Sequence, residues 1–233
     1  MAVGINKVYN KVLAIANKEQ RGYIVPQEFN LFADLAQLEI FEQYFYDKNQ
    51  FMRVHGNDGE YSDIIHNLNE KINIFERTAS VNANGQIQAN DFYRLGTVIF
   101  NGDTEVEEVE PHEILYMNKS PLMAPTVTRP VYVRSTTPFM GIMVQAYPSA
   151  ANTGLTCTYI KKPTKPQWGY VVINDRAMYD GDSSVTTNFE LHSSEENELV
   201  YKILKLAGVS MKRQDIATAG QGLETSQIQQ EKQ

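Results

Sequence analysis

A switch in hydrophobic periodicity divides the chain and limits what it can fold into. Ile5, Val8, Tyr9, Val12, Ile15 and Ala16 recur at helical spacing, and so do Phe29, Phe32, Ala33, Ala36, Ile40 and Tyr44, then Ile64, Ile65, Leu68, Ile72 and Phe75. Three amphipathic helices are therefore predicted over roughly residues 4 to 77, the third following a polar loop, "RVHGNDGEYSD". From Phe92 to about His192 the texture is different: short β-branched and aromatic runs ("YRLGTVIF", "TEVEEVE", "EILYM", "PVYVRS", "MGIMVQAY", "LTCTYIKK", "YVVIN", "NFELH") alternate with most of the chain's nine prolines. An α+β fold follows, with a helical region over 1–80 and a β-rich region, a meander or small sandwich, over 81–192.

Local signals sharpen the boundaries. Gly22 suits the left-handed residue that closes a helix, and Pro26 the first turn of the next, so "KEQRGYIVP" reads as a helical elbow. Asn101-Gly102 asks for a hairpin turn with positive φ at both central residues. Ser193 with Glu196 three residues later forms a capping-box pattern, Leu199, Val200, Ile203, Leu204 and Ala207 give one apolar face, and Gly208 marks the end. A C-terminal helix over 193–212 that packs on the helical region is expected, followed by a polar tail over 213–233, extended or mobile until a neighbour orders it.

Composition narrows the function. The net charge of −7 withholds the footprint of a protein that grips nucleic acid through its phosphates. No apolar run approaches the ~18 residues of a membrane span, and "MAVGINKVYNK" has no signal-peptide core, so neither membrane insertion nor export is expected. The single cysteine, Cys157, excludes an intrachain disulfide; within "LTCTYI", alternation puts it on one strand face with Leu155 and Tyr159, a buried small apolar residue rather than a nucleophile. His55, His66, His112 and His192 show no metal-ligand spacing, and "DGDSS" and "GNDGE" read as turns, not calcium or phosphate loops. No phosphate loop, dinucleotide fingerprint or nucleophile elbow is present, so neither a cofactor nor catalysis is expected. Glu105, Glu107, Glu108 and Glu110 read first as a solvated strand face, or as a charged wall in an assembly, with Lys161, Lys162 and Lys165 as a basic counterpart.

The segments "VYNKVLAIANKEQRGYIVPQEFNLFADLAQLEIFEQYF", "ANDFYRLGTVIF", "APTVTRPVYVR", "TYIKKPTKPQWGYVV" and "FELHSSEENELVYKILKLAGV", taken in this order, resemble the head-to-tail connector ring proteins of short-tailed bacteriophages, most closely those of crAss-like phages. Val25 departs from the pattern, standing where a serine or threonine cap would suit the second helix. The resemblance implies a virion structural subunit without catalysis, assembled in the host cytoplasm into a ring, dodecameric in such families, that joins portal and tail. Its partners would be copies of itself, the portal, other tail or ring proteins, and genomic DNA that passes through the lumen without specific binding. A capsid decoration, cargo or fibre-attachment protein is the alternative, and a small phage hydrolase a third reading that lacks paired acids at a suitable spacing. The expected interface residues are the elbow (Arg21, Gly22, Tyr23), the second-helix aromatics (Phe29, Phe32, Phe41, Tyr44) and the loop carrying Lys161, Lys162, Lys165 and Trp168. A large aromatic face on one helix is either an intrachain core or a contact between subunits.

Overall fold

The computed structural model describes residues 3–16, 24–53, 59–137, 141–174, 176–210 and 214–231. The elbow residues Arg21, Gly22 and Tyr23 lie outside them. The fold is α+β, and the chain forms two compact units: Met1–Ile74 together with Pro163–Gln233, and Phe75–Lys162. The predicted 81–192 region is thus corrected at both ends. Strand formation begins at Glu76, and everything from Pro163 onward belongs with the helices.

In the helical unit, α1 (Ile5–Ala16) buries Ile5, Val8, Tyr9, Val12 and Ala16, five of the six residues that its periodicity selects. α2 (Pro26–Arg53) starts on Pro26, and its first helical bond runs from Phe29 N–H to the Val25 carbonyl at 3.0 Å, a backbone acceptor that any residue at 25 supplies. α3 (Gly59–Asn73) begins inside the segment read as a loop.

The returning chain is fixed by side-chain amides that act as strand partners. Asn30 of α2 accepts from Trp168 N–H at 2.8 Å and donates to the Trp168 carbonyl at 3.4 Å. Gln37, fully buried two turns further along the same face, donates to the Thr164 carbonyl at 2.8 Å and accepts from Glu190 N–H at 3.1 Å. The Trp168 ring stacks on Tyr9 with centroids 4.1 Å apart, and its indole N–H donates to Asn6 Oδ1 at 3.2 Å. These bonds tie 163–192 to the helical unit: side chains of α2 and isolated bridges such as Val3 with Phe189 take part of its backbone groups, and residues 170–179 pair with one another.

The sheet unit holds β1 (Glu76–Ser80), β2 (Phe92–Phe100), β3 (Thr104–Glu108), a short α4 (Glu113–Met117), β4 (Val131–Thr137), β5 (Gly141–Tyr147) and β6 (Leu155–Lys161). Their order is β1-β6-β2-β3-β4-β5. It is one mixed sheet rather than a meander or sandwich, because β6 inserts between β1 and β2 and because β3 and β4 run parallel. A parallel pair needs a crossover, and α4 with the loop after it supplies that connection. "EILYM", read as a strand, is therefore a helix. It is anchored by Ile114 in a small cluster with Val109, Val131 and Val133. Asn101 and Gly102 have φ of 52° and 84°, as the turn between β2 and β3 requires. Leu155, Cys157 and Tyr159 alternate onto the buried face of β6, as their spacing predicts.

The helical unit closes with a hairpin, β7 (Tyr170–Ile173) and β8 (Arg176–Tyr179), then α5 (Glu196–Ser210) and α6 (Gln214–Glu231). Three expectations change here. The start of α5 is preceded by a 3₁₀ turn at Ser193–Glu195, capped by His192, whose Nδ1 accepts from Ser194 N–H, while Glu196 turns to Lys7 and Lys11 of α1. Gly208 does not stop the helix. The "tail" is a helix, because small residues let it lie directly on α5: a Cβ on Gly208 would sit 2.5 Å from Ala217 N, and one on Gly220 would sit 3.0 Å from Lys205 N.

Two expected outcomes follow from this packing. Gly208→Ala should cost about 1–3 kcal/mol, because the obstacle is backbone, whereas Gly222→Ala, with open space around its Cβ, should gain about 0.5–1 kcal/mol; urea denaturation of both variants compares them. Gln37→Leu should cost about 2–4 kcal/mol by orphaning one carbonyl and one N–H, each worth ~1–3 kcal/mol, and a loss under 1 kcal/mol in the same assay would show that the amide is replaceable.

Candidate functional site

The helical unit contains a cavity of about 350 Å³. α2 contributes Ile40, Tyr44 and Phe51 to its wall, α3 contributes Leu68 and Lys71, and α6 contributes Ile228. Its size is at the lower end of the ~300–1,000 Å³ of small-molecule pockets, enough for one or two side chains. Apolar atoms make up most of the wall surface, although nine of the fifteen wall residues are polar or charged; Asp47, Glu70, Glu195 and Glu198 supply four carboxylates against the one ammonium of Lys71.

The charges are ordered. Lys71 Nζ lies 2.6 Å from Glu195 Oε1, with the ammonium 5.6 Å from the centre of the Tyr44 ring. Ser194 Oγ donates to the same Glu195 oxygen at 3.0 Å, and the other oxygen, Oε2, is buried with no hydrogen-bond partner among the described residues. Behind the cavity, the Lys202 ammonium is buried and donates to Glu224 at 2.8 Å and Glu39 at 3.0 Å, with Glu198 at 3.6 Å. Lys205 donates to the second Glu224 oxygen at 3.0 Å. Burial by itself would push the Lys202 pKa down, but the hydrogen bonds and charges of Glu224 and Glu39 outweigh it, and the net shift is upward. Glu224 mirrors this. Burial would raise its pKa, yet Lys202 and Lys205 hold it below the usual glutamate value. Together these pairs fasten α6, and with it the Ile228 wall of the cavity, to α5 and α2.

The residues expected at an interface separate into distinct environments. Phe29, Phe41 and Tyr44 are buried inside the helical unit, with Phe29 edge-on to Tyr9 and Phe41 edge-on to Phe45, so the aromatic face of α2 is an intrachain core and not an open surface. Phe32 is half-buried. Trp168 is buried under Tyr9, and Lys165, mostly exposed, lies 3.7 Å from Asp34. Lys161 and Lys162 fall in the sheet unit, so the basic loop is divided at the unit boundary and forms no single patch within one unit. Arg21, Gly22 and Tyr23 lie outside the described residues.

Sequence reasoning missed the apolar side chains that do face solvent. On α2 these are Leu31 and Leu35, 66% and 55% exposed. On the hairpin Val172, Ile173 and Met178 are exposed, and in the sheet unit so are Leu115, Tyr116 and Leu122. Only Leu31 and Leu35 carried a readable signal, lying four residues apart and opposite the buried stripe. The "DGDSS" loop is closed by its own turns, with Asp182 N–H bonded to Asp180 Oδ1 and Ser184 N–H to Asp182 Oδ1, and part of "GNDGE" lies outside the described residues. Among the described residues no group of three His, Cys, Asp or Glu side chains is placed to hold a metal ion, and no helix is long and apolar enough to cross a membrane. No family model matches the chain, and no curated protein matches it.

The opposed shifts of Glu224 and Lys202 set a pH window. The Glu224 contribution is present above the ordinary glutamate pKa and lost as pH falls through its lowered folded value; the Lys202 contribution is present below the ordinary lysine pKa and lost as pH rises through its raised one. Amide-exchange protection of α6 should therefore hold from about pH 5 to 10 and decline on both sides. Glu224→Gln should cost about 2–3 kcal/mol at pH 7, no more than the low end of the ~3–5 kcal/mol for losing one partner of a buried pair, because Lys202 keeps Glu39 and Glu198.

Proposed function

We propose that this chain is a structural subunit of a bacteriophage virion, many copies of which close into a ring that joins portal and tail and lines part of the DNA ejection channel, with no catalysis of its own. One observation carries the reading: large apolar side chains are held in solvent on ordered elements at three separate places, Leu31 and Leu35 on α2, Val172 and Ile173 on β7, and Leu115, Tyr116 and Leu122 around α4. Such patches mark protein–protein contacts when they cluster on a surface.

Their chemistry suits a ring in particular. The patches are unlike one another, one on a long helix, one on a hairpin and one on a short helix with the loop after it, and a heterologous contact joins two different surfaces of identical subunits, so that every copy presents both halves. Among the described residues the β7–β8 hairpin belongs to no larger sheet; Tyr170 and Tyr179 pack on Trp168, but Val171, Val172 and Ile173 stay exposed, so covering them would stabilise the ribbon. The resemblance of the sequence to connector ring proteins points the same way. Exposed Glu105, Glu107 and Glu108 on β3 and the overall charge of −7 fit a channel through which DNA slides, because they offer its phosphates nothing to bind.

The test is the mass of the purified full chain, alone and with purified portal protein, by native mass spectrometry with electron microscopy of the particles. A closed ring of fixed copy number, dodecameric or otherwise, is the expected result. A strict monomer under both conditions would overturn the ring, and single copies scattered on capsids would point to a decoration protein.

A further inference from the structure

The connection after α4 is built unlike an ordinary surface loop. Ser120 O accepts from Met123 N–H at 3.2 Å and Ala124 N–H at 3.0 Å, and Thr126 and Arg129 exchange backbone bonds at 3.3 and 3.0 Å. Thr126 Oγ1 also accepts from Arg129 N–H at 3.2 Å, and Pro121, Pro125 and Pro130 fix φ along the way. Upstream, Ile114 is buried and Met117 packs against the same cluster, which leaves Leu115 and Tyr116 on the outer side of α4. On this ordered frame Leu122 is 94% and Met123 60% exposed. Burying a side chain of this kind is worth about 1.5–3 kcal/mol, and an anchor already fixed in shape loses little entropy when it docks. The loop is a knob.

The socket is the cavity walled by α2, α3 and α6. It is apolar over most of its wall, its volume suits one or two side chains, and its carboxylates include Asp47 and Glu70. The knob segment 118–129 carries Lys119 and Arg129, both exposed, and no acid. Knob and socket therefore match in polarity and carry opposite charge, which favours correct encounter and register.

We propose that Leu122 and Met123 of one copy seat in the cavity of a neighbouring copy, with Lys119 and Arg129 beside its carboxylates. This rests on the ring reading and names its contact: each subunit offers one knob and one socket, the head-to-tail arrangement that propagates around a ring. It also gives α6 a role, since the Lys202 and Glu224 pair holds the Ile228 wall of the socket.

The test mixes two full-length variants, Leu122→Cys and Asn67→Cys, the second at the cavity wall. The native Cys157 is buried and does not compete. Under mild oxidation in assembled wild-type-like particles, the mixture should give a disulfide-linked dimer, and Leu122→Cys mixed with Thr97→Cys should not. Separately, Leu122→Asp should raise the concentration needed for assembly at least about tenfold with unchanged thermal unfolding, because the site is exposed in the single chain. If the wild type assembles but the cysteine pair stays unlinked, or Leu122→Asp assembles normally, the knob-and-socket contact is wrong and the ring stands. Cross-linking of Leu122→Cys to the portal would assign the loop to that partner and overturn the proposal. A wild type that forms no ring, alone or with portal, removes both.

Discussion

The helical unit depends on a polar constraint. Gln37 is fully buried and both ends of its amide are spent, one on the Thr164 carbonyl and the other on the Glu190 N–H, groups 127 and 153 residues away in sequence. A chain that leaves its first unit to build a sheet and then returns must satisfy the backbone of the returning segment, and its one short hairpin pairs only residues 170–179. Gln37 and Asn30 do this from one helix face, and the Trp168 ring fills the space against Tyr9. An apolar residue at either position would keep the packing and leave buried backbone groups without partners, which is the costlier failure.

A second constraint is electrostatic. A buried ammonium is tolerated only with counter-charges around it, and Lys202 has three carboxylates within 3.6 Å. One of them, Glu224, belongs to α6, a helix with little apolar surface of its own, and the glycines at 208 and 220 bring that helix close enough for the pair to form. Close backbone approach and a desolvated ion pair thus support one another. Neither would hold a polar helix alone, since a buried pair roughly offsets its own desolvation. The cavity inherits its shape from this arrangement, because Ile228 sits one turn beyond Glu224 on the same helix.

The sheet unit is organised around its parallel pair. Because β3 and β4 run the same way, the chain has to cross over between them, and that crossover carries α4 and the proline-bearing loop whose apolar tips face water. The topology that completes the sheet also displays Leu122. The connector-ring reading draws on surfaces of this kind, and on the resemblance of the sequence to such proteins.

The α+β class, the first helices, the Asn101-Gly102 turn and the buried face of β6 were legible in the sequence, since periods of 3.6 and 2 and a positive-φ turn are local properties. What was not legible was decided by distant partners. "EILYM" satisfies strand propensity and became a helix because Ile114 fills a cluster beneath β4; the C-terminal segment looks coreless and became a helix because Gly208 and Lys202 of α5 receive it and its own Gly220 lets it lie close; the aromatic face of α2 could have faced a neighbour and was claimed by α1 and the returning chain. Sequence by itself determined which residues are apolar and at what spacing. Only the tertiary structure decided which of them are covered, because burial depends on what the rest of the chain brings alongside.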